Sequence, residues 1–305
     1  MRQLRYRAPD TDRLTVNMTR INLVLLALLV SLVVAACRPE PPKPVAVAAP
    51  EAEVVAGVRL VGRITHPHLT ESSGLIGCSK DTNVFWTHND GRRGMLYAIT
   101  RAGRPVAEFP VEGVGLNDWE DIARDDQGHL YIGDIGNNDG KRALLAVHQI
   151  DEPDPKDSGK VLPVRRSWTL RFPQAPFDCE SLFIWQTNGY VISKVFNDAQ
   201  AEIYRFPLAE QKEPFILEFV TRLPIESPVT GADISEDGKK LGVVCKSGAF
   251  VFRIKGDVAN AGDAKYHSIK FRDKHIEGCC FVPEGLLATA ESREIYLFTD
   301  EAFRR

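Results

Sequence analysis

The sequence predicts an all-β protein built as a single β-propeller of five four-stranded blades. Three observations predict this fold. A short strand-opening motif recurs five times, each copy is followed by a similar series of strands, and the copies lie about 45–60 residues apart. All-β units at this spacing are typical of propellers, in which four-stranded sheets surround a central channel. Six blades are the alternative, but the stretch 151–166 that would hold the extra unit is acidic, contains proline and has no strand period.

Each motif places an acidic or small polar residue ahead of an apolar inner strand. The five copies are SSGLIG (Ser72–Gly77), WEDIA (Trp119–Ala123), CESLFI (Cys179–Ile184), GADIS (Gly231–Ser235) and EGCCFV (Glu277–Val282). A second apolar strand, a third that is often aromatic and a fourth with alternating polarity follow, separated by Gly, Asn and Asp turns. The fifth unit has no fourth strand of its own, so we expect Arg59–Thr65 to supply it and to close the ring.

Residues 1–37 have the pattern of a bacterial lipoprotein signal peptide. The apolar stretch Ile21–Val34 follows Arg20, and it has the length of a secretory h-region rather than of a membrane span. It ends in VAAC, which resembles the lipobox whose cysteine is lipidated and becomes the mature N-terminus. We therefore expect a lipid on Cys37 and a location in the cell envelope, on the periplasmic or outer side. Translation from Met18 would give a signal peptide of more usual length.

The residues after Cys37 predict a tether and then the propeller. Arg38, rather than Asp, follows the cysteine, which favours the outer membrane if the organism has one. Residues 38–56 are rich in Pro, Ala and Glu and cannot bury a core, so they predict an extended tether. The propeller domain is then 57–305, which we expect to be monomeric.

Charge and cysteine content limit the partners and the chemistry. The formal net charge is −3 for the whole chain, and no run of Lys or Arg is present, which argues against a nucleic-acid partner. Five cysteines follow Cys37 without the spacing of a metal site. A disulfide between Cys78 and Cys280 is one interpretation, and buried unpaired thiols are the other.

Some conspicuous residues have structural interpretations. Gly74 and Gly231 indicate close backbone approach on inner strands. His66 and His68 have no carboxylate or cysteine at a fixed spacing, so we expect them at the surface. The four tryptophans are expected to pack between blades rather than to bind a ligand: Trp86, Trp119, Trp168 and Trp185.

Polar residues on the first and second strands predict an acidic funnel at one end of the channel. When the five motifs are aligned on the aliphatic residue that opens each strand, one residue of each inner strand falls at the same level along the channel. These residues are Ser73, Glu120, Glu180, Ala232 and Glu277. The second strands add another level: His88, Asp134, Lys194, Lys246 and Glu291. Crowded carboxylates need protonation, a cationic partner such as Lys194 or Lys246, or a bound cation.

Three interpretations of the funnel remain open. It is an inert polar channel, a ligand site or a metal site. A ligand would engage Glu120, Glu180, Glu277, Asp134 and Lys194. A hard cation such as Ca²⁺, which prefers oxygen ligands, would be held by Glu120, Glu180 and Glu277.

Several segments together resemble a family of bacterial secreted propellers of WD40-like or lipoprotein type. They are ESSGLIG…VFWTHND, NDWEDIA…LYIGDIGNN, DCESL, VTGADISEDGKKLGVV and IEGCCF. The resemblance covers about Val58 to Phe298 and implies the propeller fold. A looser likeness to phytase-like and gluconolactonase-like propellers, which are Ca²⁺-dependent enzymes, lies in the Glu, Asp and Asn residues at the channel. Ala232 departs from that acidic pattern.

These features predict a lipid-anchored binding or interaction module at the cell envelope, whose partner is a protein, a glycan or a small molecule. The first alternative is a Ca²⁺-dependent hydrolase of phosphoesters or lactones, with His88 or Glu291 handling protons. The second alternative is a scaffold in an envelope complex that uses exposed blade edges.

Overall fold

The computed structural model describes residues 52–91, 93–115, 117–196 and 199–304. The predicted signal peptide, the predicted lipid on Cys37 and residues 38–51 of the predicted tether lie outside the described residues. No helix in the described ranges is long and apolar enough to cross a membrane.

In the residues that the structure describes, 23 strands make up almost all of the regular structure. The first two are β1 (Ala52–Val55) and β2 (Val58–Arg63). The first blade follows with β3 (Ser72–Gly77), β4 (Val84–Asn89), β5 (Met95–Thr100) and β6 (Pro105–Glu112). The second contains β7 (Trp119–Arg124), β8 (His129–Asp134), β9 (Leu144–Asp151) and, after the short β10 (Leu162–Pro163), β11 (Arg166–Arg171).

The remaining blades repeat this order. The third contains β12 (Cys179–Trp185), β13 (Asn188–Ser193), β14 (Glu202–Pro207) and, after the short β15 (Phe215–Ile216), β16 (Glu218–Arg222). The fourth contains β17 (Val229–Ile234), β18 (Lys240–Cys245), β19 (Gly248–Arg253) and β20 (Tyr266–Lys270). The fifth contains β21 (Ile276–Val282), β22 (Gly285–Ala290) and β23 (Glu294–Thr299). Three 3₁₀ turns lie at Pro155–Asp157, Val258–Gly262 and Ala302–Arg304.

The blades form a closed ring of five, as the sequence predicts. The inner strands β3, β7, β12, β17 and β21 contact one another in succession, and β21 also contacts β3. Strand β2 pairs antiparallel with β23 and so becomes the fourth strand of the fifth blade. The stretch 151–166 forms no sixth blade, because it contributes only the end of β9, a 3₁₀ turn, β10 and the first residue of β11.

Three short strands at the outer edges of blades were not predicted. Strand β10 pairs in parallel with β6, and β15 pairs in parallel with β11. Strand β1 pairs antiparallel with β2 although all four of its residues are exposed, so backbone pairing rather than apolar burial holds it. Because β1 lies within 38–56, the segment predicted as a tether ends earlier than residue 56.

The interior consists of apolar side chains packed within and between blades. Trp86, Trp119 and Trp168 are fully buried and Trp185 is partly buried, which confirms that they pack in the core. All five cysteines of the described chain are buried and unpaired, so the disulfide between Cys78 and Cys280 does not form. Those two side chains lie together in one apolar cluster, which accounts for their position without a covalent bond.

Every inner strand contains a β-bulge within or directly before its motif. The pairing register with the second strand shifts between Ser72 and Leu75, and at the equivalent place in the other four blades. Near these bulges the inner strands touch through their backbones. A Cβ on Gly74 would lie 2.6 Å from the amide nitrogen of Ile122, and one on Gly231 would overlap the carbonyl oxygen of Glu277. The predicted close approach at Gly74 and Gly231 is therefore confirmed.

Buried carboxylates also join neighbouring blades. Asp121 on β7 accepts a 2.9 Å hydrogen bond from the amide of Leu182 on β12. Asp233 on β17 accepts a 2.8 Å bond from the amide of Phe281 on β21. Both carboxylates also accept the amide of the residue that follows them in sequence. These bonds satisfy backbone amides of the inner strands, each of which has a strand partner on one side only.

We predict that Gly278→Ala destabilises the protein by about 1–3 kcal/mol, because the added methyl group would be forced against backbone. A Cβ there would lie 2.5 Å from the carbonyl carbon of Gly74 and from the amide nitrogen of Leu75, where the first and fifth blades meet. The control is Gly77→Ala, which meets no atom within 4 Å and should change stability by less than about 0.5 kcal/mol. Urea unfolding of both variants tests this, and equal effects would contradict it.

Candidate functional site

The bulges determine which residue of each inner strand occupies the level of the predicted funnel. Register with the second strands puts five residues at one level: Ser73, Glu120, Glu180, Thr230 and Glu277. The prediction of Ala232 for the fourth blade is wrong. Ala232 pairs with Val243 and packs in the core. The motif alignment failed because it matched Ile234 with Ile122. Ile122 lies two residues after the bulge at Glu120, whereas Ile234 lies four residues after the bulge at Thr230.

A second level is formed by the residues that directly follow the second strands. These residues are Asp90, Lys194, Lys246 and Glu291, with Ile135 in the second blade. Sequence alignment missed Asp90 and assigned His88 and Asp134 instead, which lie inside β4 and β8. Asp90 could have been identified from its position, because it directly follows a second strand, as Lys194 and Lys246 do. We call the two levels together the funnel.

Three carboxylates converge on one side of the funnel, and we call Asp90, Asp118 and Glu120 the acidic cluster. Each offers one oxygen, and the three oxygens lie within 4.8 Å of one another. Glu120 is only 4 % exposed, Asp118 is half-buried and Asp90 is exposed. The metal set expected from the sequence was Glu120, Glu180 and Glu277; the structure instead groups Glu120 with Asp90 and Asp118.

Burial and mutual repulsion act on all three carboxyl groups. Burial, followed by the charges of Glu180 and Asp90, raises the pKa of Glu120 well above its usual value. Burial and the charge of Asp90 raise the pKa of Asp118. Burial and the charge of Glu71 raise the pKa of Asp90. The cluster therefore favours either bound protons or a bound cation.

Gly136 lets two carboxylates of this cluster pack directly against its backbone. A Cβ at this position would overlap Glu120 Oε1 and Asp118 Oδ2, so a larger residue here would force these oxygens to move. The Gly136 amide donates to the Asp118 carbonyl oxygen at 3.3 Å, and its own carbonyl oxygen accepts from Arg142 at 2.6 Å. The IGNN segment of the second blade thus supplies the backbone against which these carboxylates pack.

The carboxylates on the other side of the funnel have lysine partners. Lys194 donates to Glu180 and lies 3.9 Å from Asp178 Oδ2, and Lys246 donates to Glu277. Burial still raises the pKa of Glu277 to about 8, although the charge of Lys246 opposes the shift. The expectation that Lys194 and Lys246 pair with funnel carboxylates is confirmed.

Several buried oxygen atoms in the funnel, or directly beside it, lack a hydrogen-bond partner in the described part of the chain. They include Asp178 Oδ2, Glu180 Oε2 and Thr230 Oγ1. Glu180 is 5 % exposed and Thr230 is fully buried, so leaving these atoms without a partner costs free energy. The charges of Asp178 and Glu180 both raise the pKa of Glu120, so these side chains lie near the acidic cluster. A donor or a cation supplied from outside would satisfy these carboxylates.

Asp134, expected in the ligand site, holds loops together instead. It is fully buried and accepts hydrogen bonds from Arg142 at 2.7 Å and from the amide of Asp118 at 3.1 Å. Burial alone would raise the pKa of Asp134. The neighbouring imidazole of His148 and the guanidinium of Arg142 outweigh this effect and lower the pKa of Asp134 to about 2. Asp134 therefore fixes the backbone of Asp118, a member of the acidic cluster.

The two residues considered for proton transfer have different surroundings. His88 is fully buried, packs edge-on against Trp119 and donates through Nδ1 to the carbonyl oxygen of Asn89 at 2.9 Å. Burial lowers the pKa of His88 to about 4, so it is neutral at pH 7. Glu291 lies at the second level of the funnel and bonds to His275 Nδ1 at 3.0 Å. Only Glu291 of the two belongs to the funnel.

A second group of metal-binding residue types lies at the end of the first blade. His66, expected at the surface, is 7 % exposed and packs against Tyr97, whereas His68 is exposed. His66 Nδ1 accepts the amide of His68, so Nε2 carries the proton and faces Glu108 at 3.4 Å. This pairing leaves His66 without a lone pair for a metal ion.

No protein-family model matches the chain, and no curated protein matches it in sequence. Among solved structures, virginiamycin B lyase from Staphylococcus aureus is 12 % identical over 79 % of this chain and 72 % of its own, with a TM-score of 0.42. A glucose dehydrogenase-like oxidoreductase from Thermus thermophilus is 10 % identical over 78 % of this chain and 98 % of its own, also with a TM-score of 0.42. Similarities at this level carry no argument about function, and the propeller assignment rests on the strand order.

We predict that Asp134→Asn costs about 3–5 kcal/mol of stability, because it breaks a buried ion pair with Arg142. Since the folded pKa of Asp134 lies below its ordinary value of 3.8, its contribution is present above about pH 4 and is lost as the pH falls towards 2. The control is Asp139→Asn, which breaks the exposed pair with Lys141 and should change stability far less than Asp134→Asn does. Denaturant unfolding at pH 7 tests both, and equal costs would contradict the structural role.

Proposed function

We propose that the protein is a binding module that holds a divalent cation of the calcium class in the acidic cluster and captures its ligand there. The observation that carries this proposal is the distance of at most 4.8 Å between the three oxygens of Asp90, Asp118 and Glu120. Calcium–oxygen distances are about 2.3–2.6 Å, so oxygens on opposite sides of one ion lie about 5 Å apart. The three side chains can therefore reach one ion as they stand.

The distribution of charge supports the same proposal. In the described part of the chain, no Lys, Arg or His lies within 4.0 Å of the carboxylates of the acidic cluster. The funnel lysines lie on the third and fourth blades, beside Glu180 and Glu277. A hard cation would offset the repulsion in the acidic cluster.

The hydrolase alternative has weaker support. Its proton-transfer candidate His88 is fully buried and bonds to the Asn89 carbonyl oxygen, and the other candidate, Glu291, already bonds to His275. The binding function needs neither residue. The scaffold alternative has no single observation in its favour.

The proposal includes a lipid anchor on Cys37 and a location at the cell envelope. Its support is the VAAC sequence directly after the apolar segment Ile21–Val34. A protein held in this way would present the propeller near a membrane surface.

The cation site predicts a Ca²⁺-dependent rise in melting temperature. An ion that binds only the folded state at about 100 times its dissociation constant adds about 2.7 kcal/mol, which is about 5–10 °C for a domain of this size. Glu120→Gln should abolish the shift, whereas Glu213→Gln, in the exposed loop before β15, should retain it. Thermal unfolding with Ca²⁺ and with EDTA measures this. Absence of a shift in the unsubstituted protein would refute the cation site.

The lipid anchor predicts that Cys37→Ser releases the full-length protein from the membrane fraction and abolishes incorporation of labelled palmitate. Arg38→Ala is the control, since it leaves the cysteine in place and should still be lipidated. Membrane fractionation with metabolic labelling measures both variants. If Cys37→Ser remained labelled and membrane-bound, the proposed anchor would be wrong.

A further inference from the structure

We infer that the ligand captured at the funnel is a neutral polyhydroxylated molecule, a glycan, which coordinates the bound cation through its hydroxyl groups. This inference rests on the proposed function, because it assigns a ligand class to the same cation site. Three features of the funnel carry it. They are an excess of hydrogen-bond acceptors, an excess of negative charge, and an exposed aromatic ring beside the site.

The funnel offers many acceptors and few available donors. Its two lysines already donate to Glu180 and Glu277. Asp178 Oδ2 and Glu180 Oε2 are buried and lack hydrogen-bond partners within the described residues. A hydroxyl group suits such a site because it donates a hydrogen bond to a carboxylate and can offer its oxygen to a cation. Vicinal hydroxyls on one sugar ring would meet both needs at once.

The net charge of the funnel disfavours an anionic ligand. Five carboxylates belong to the second level of the funnel or lie close enough to raise the pKa of a funnel carboxyl group: Glu71, Asp90, Asp118, Asp178 and Glu291. Three more lie at the inner level: Glu120, Glu180 and Glu277. Even if Glu120 and Glu277, whose pKa values are raised, carry protons, the six remaining carboxylates outnumber the four positive charges of two lysines and one divalent cation. Phosphoesters and acidic peptides would therefore be repelled. A basic peptide would compete with the cation for the same oxygens rather than bind through it.

An exposed aromatic side chain lies beside this polar site. Phe196 is 56 % exposed, and its ring centroid is 5.9 Å from the ammonium nitrogen of Lys194, which is bound to Glu180. A large apolar side chain that is more than half exposed next to polar groups is suited to stacking on a ligand. The apolar face of a sugar ring fits this position, with its hydroxyl edge directed at the carboxylates and the cation.

The test is binding of the full-length protein in detergent to an array that carries neutral, sulfated and phosphorylated glycans, with Ca²⁺ or with EDTA. We expect neutral glycans to bind in Ca²⁺ and to be lost in EDTA. Phe196→Ala should weaken binding about tenfold while Ca²⁺ still raises the melting temperature. Phe219→Ala is the matched control, since Phe219 is 48 % exposed on the outer strand β16 and should leave binding unchanged.

Several outcomes would overturn the glycan assignment. They are binding of sulfated or phosphorylated glycans alone, binding of no glycan, binding that persists in EDTA, or equal effects of Phe196→Ala and Phe219→Ala. If Ca²⁺ still stabilises the protein in these cases, the proposed cation site stands and only the ligand class is wrong. If Ca²⁺ has no effect on stability, the proposed function fails as well.

Discussion

The contact of backbone against backbone at the central axis is the constraint on which the rest of the structure depends. Five inner strands approach so closely that glycine is needed at positions such as Gly74 and Gly278. A bulge at the same place in each strand allows this approach and turns the preceding side chain towards the channel. The residues displayed in the funnel are thus a consequence of how the ring closes. Asp121 and Asp233 strengthen the same region by bonding to the next blade.

The candidate site arises from departures from fivefold repetition. All blades supply the same positions, but lysines follow the second strands only in the third and fourth blades. Glu180 and Glu277 are neutralised there, whereas Asp90, Asp118 and Glu120 are left to repel one another. A ring with equal charges in every blade would have no preferred side. Because of this asymmetry, the carboxylates without a lysine partner, which a cation would stabilise, lie together on one side of the funnel.

The blades and their closure could be predicted because they depend on local signals, namely strand periodicity, turn residues and an incomplete last unit. The site could be predicted only in part. Ala232 was placed at the inner level in the position of Thr230 because a bulge changes which residues face the channel, and hydrophobic pattern does not reveal the bulge. Asp134 was misplaced because its position in β8, and its bond to Arg142 in a later loop, depend on folded geometry. Strand β1 was missed because it is exposed and held by backbone pairing.

The most direct test of the cation site is a crystal structure of the protein grown in Ca²⁺, with anomalous data to identify the ion. The account predicts an anomalous peak about 2.3–2.6 Å from oxygens of Asp90, Asp118 and Glu120. The absence of a peak there at saturating Ca²⁺, with the three carboxyl groups bonded to one another or to water, would contradict it. The cluster would then be stabilised by protons, and the funnel would be a polar channel without a metal centre.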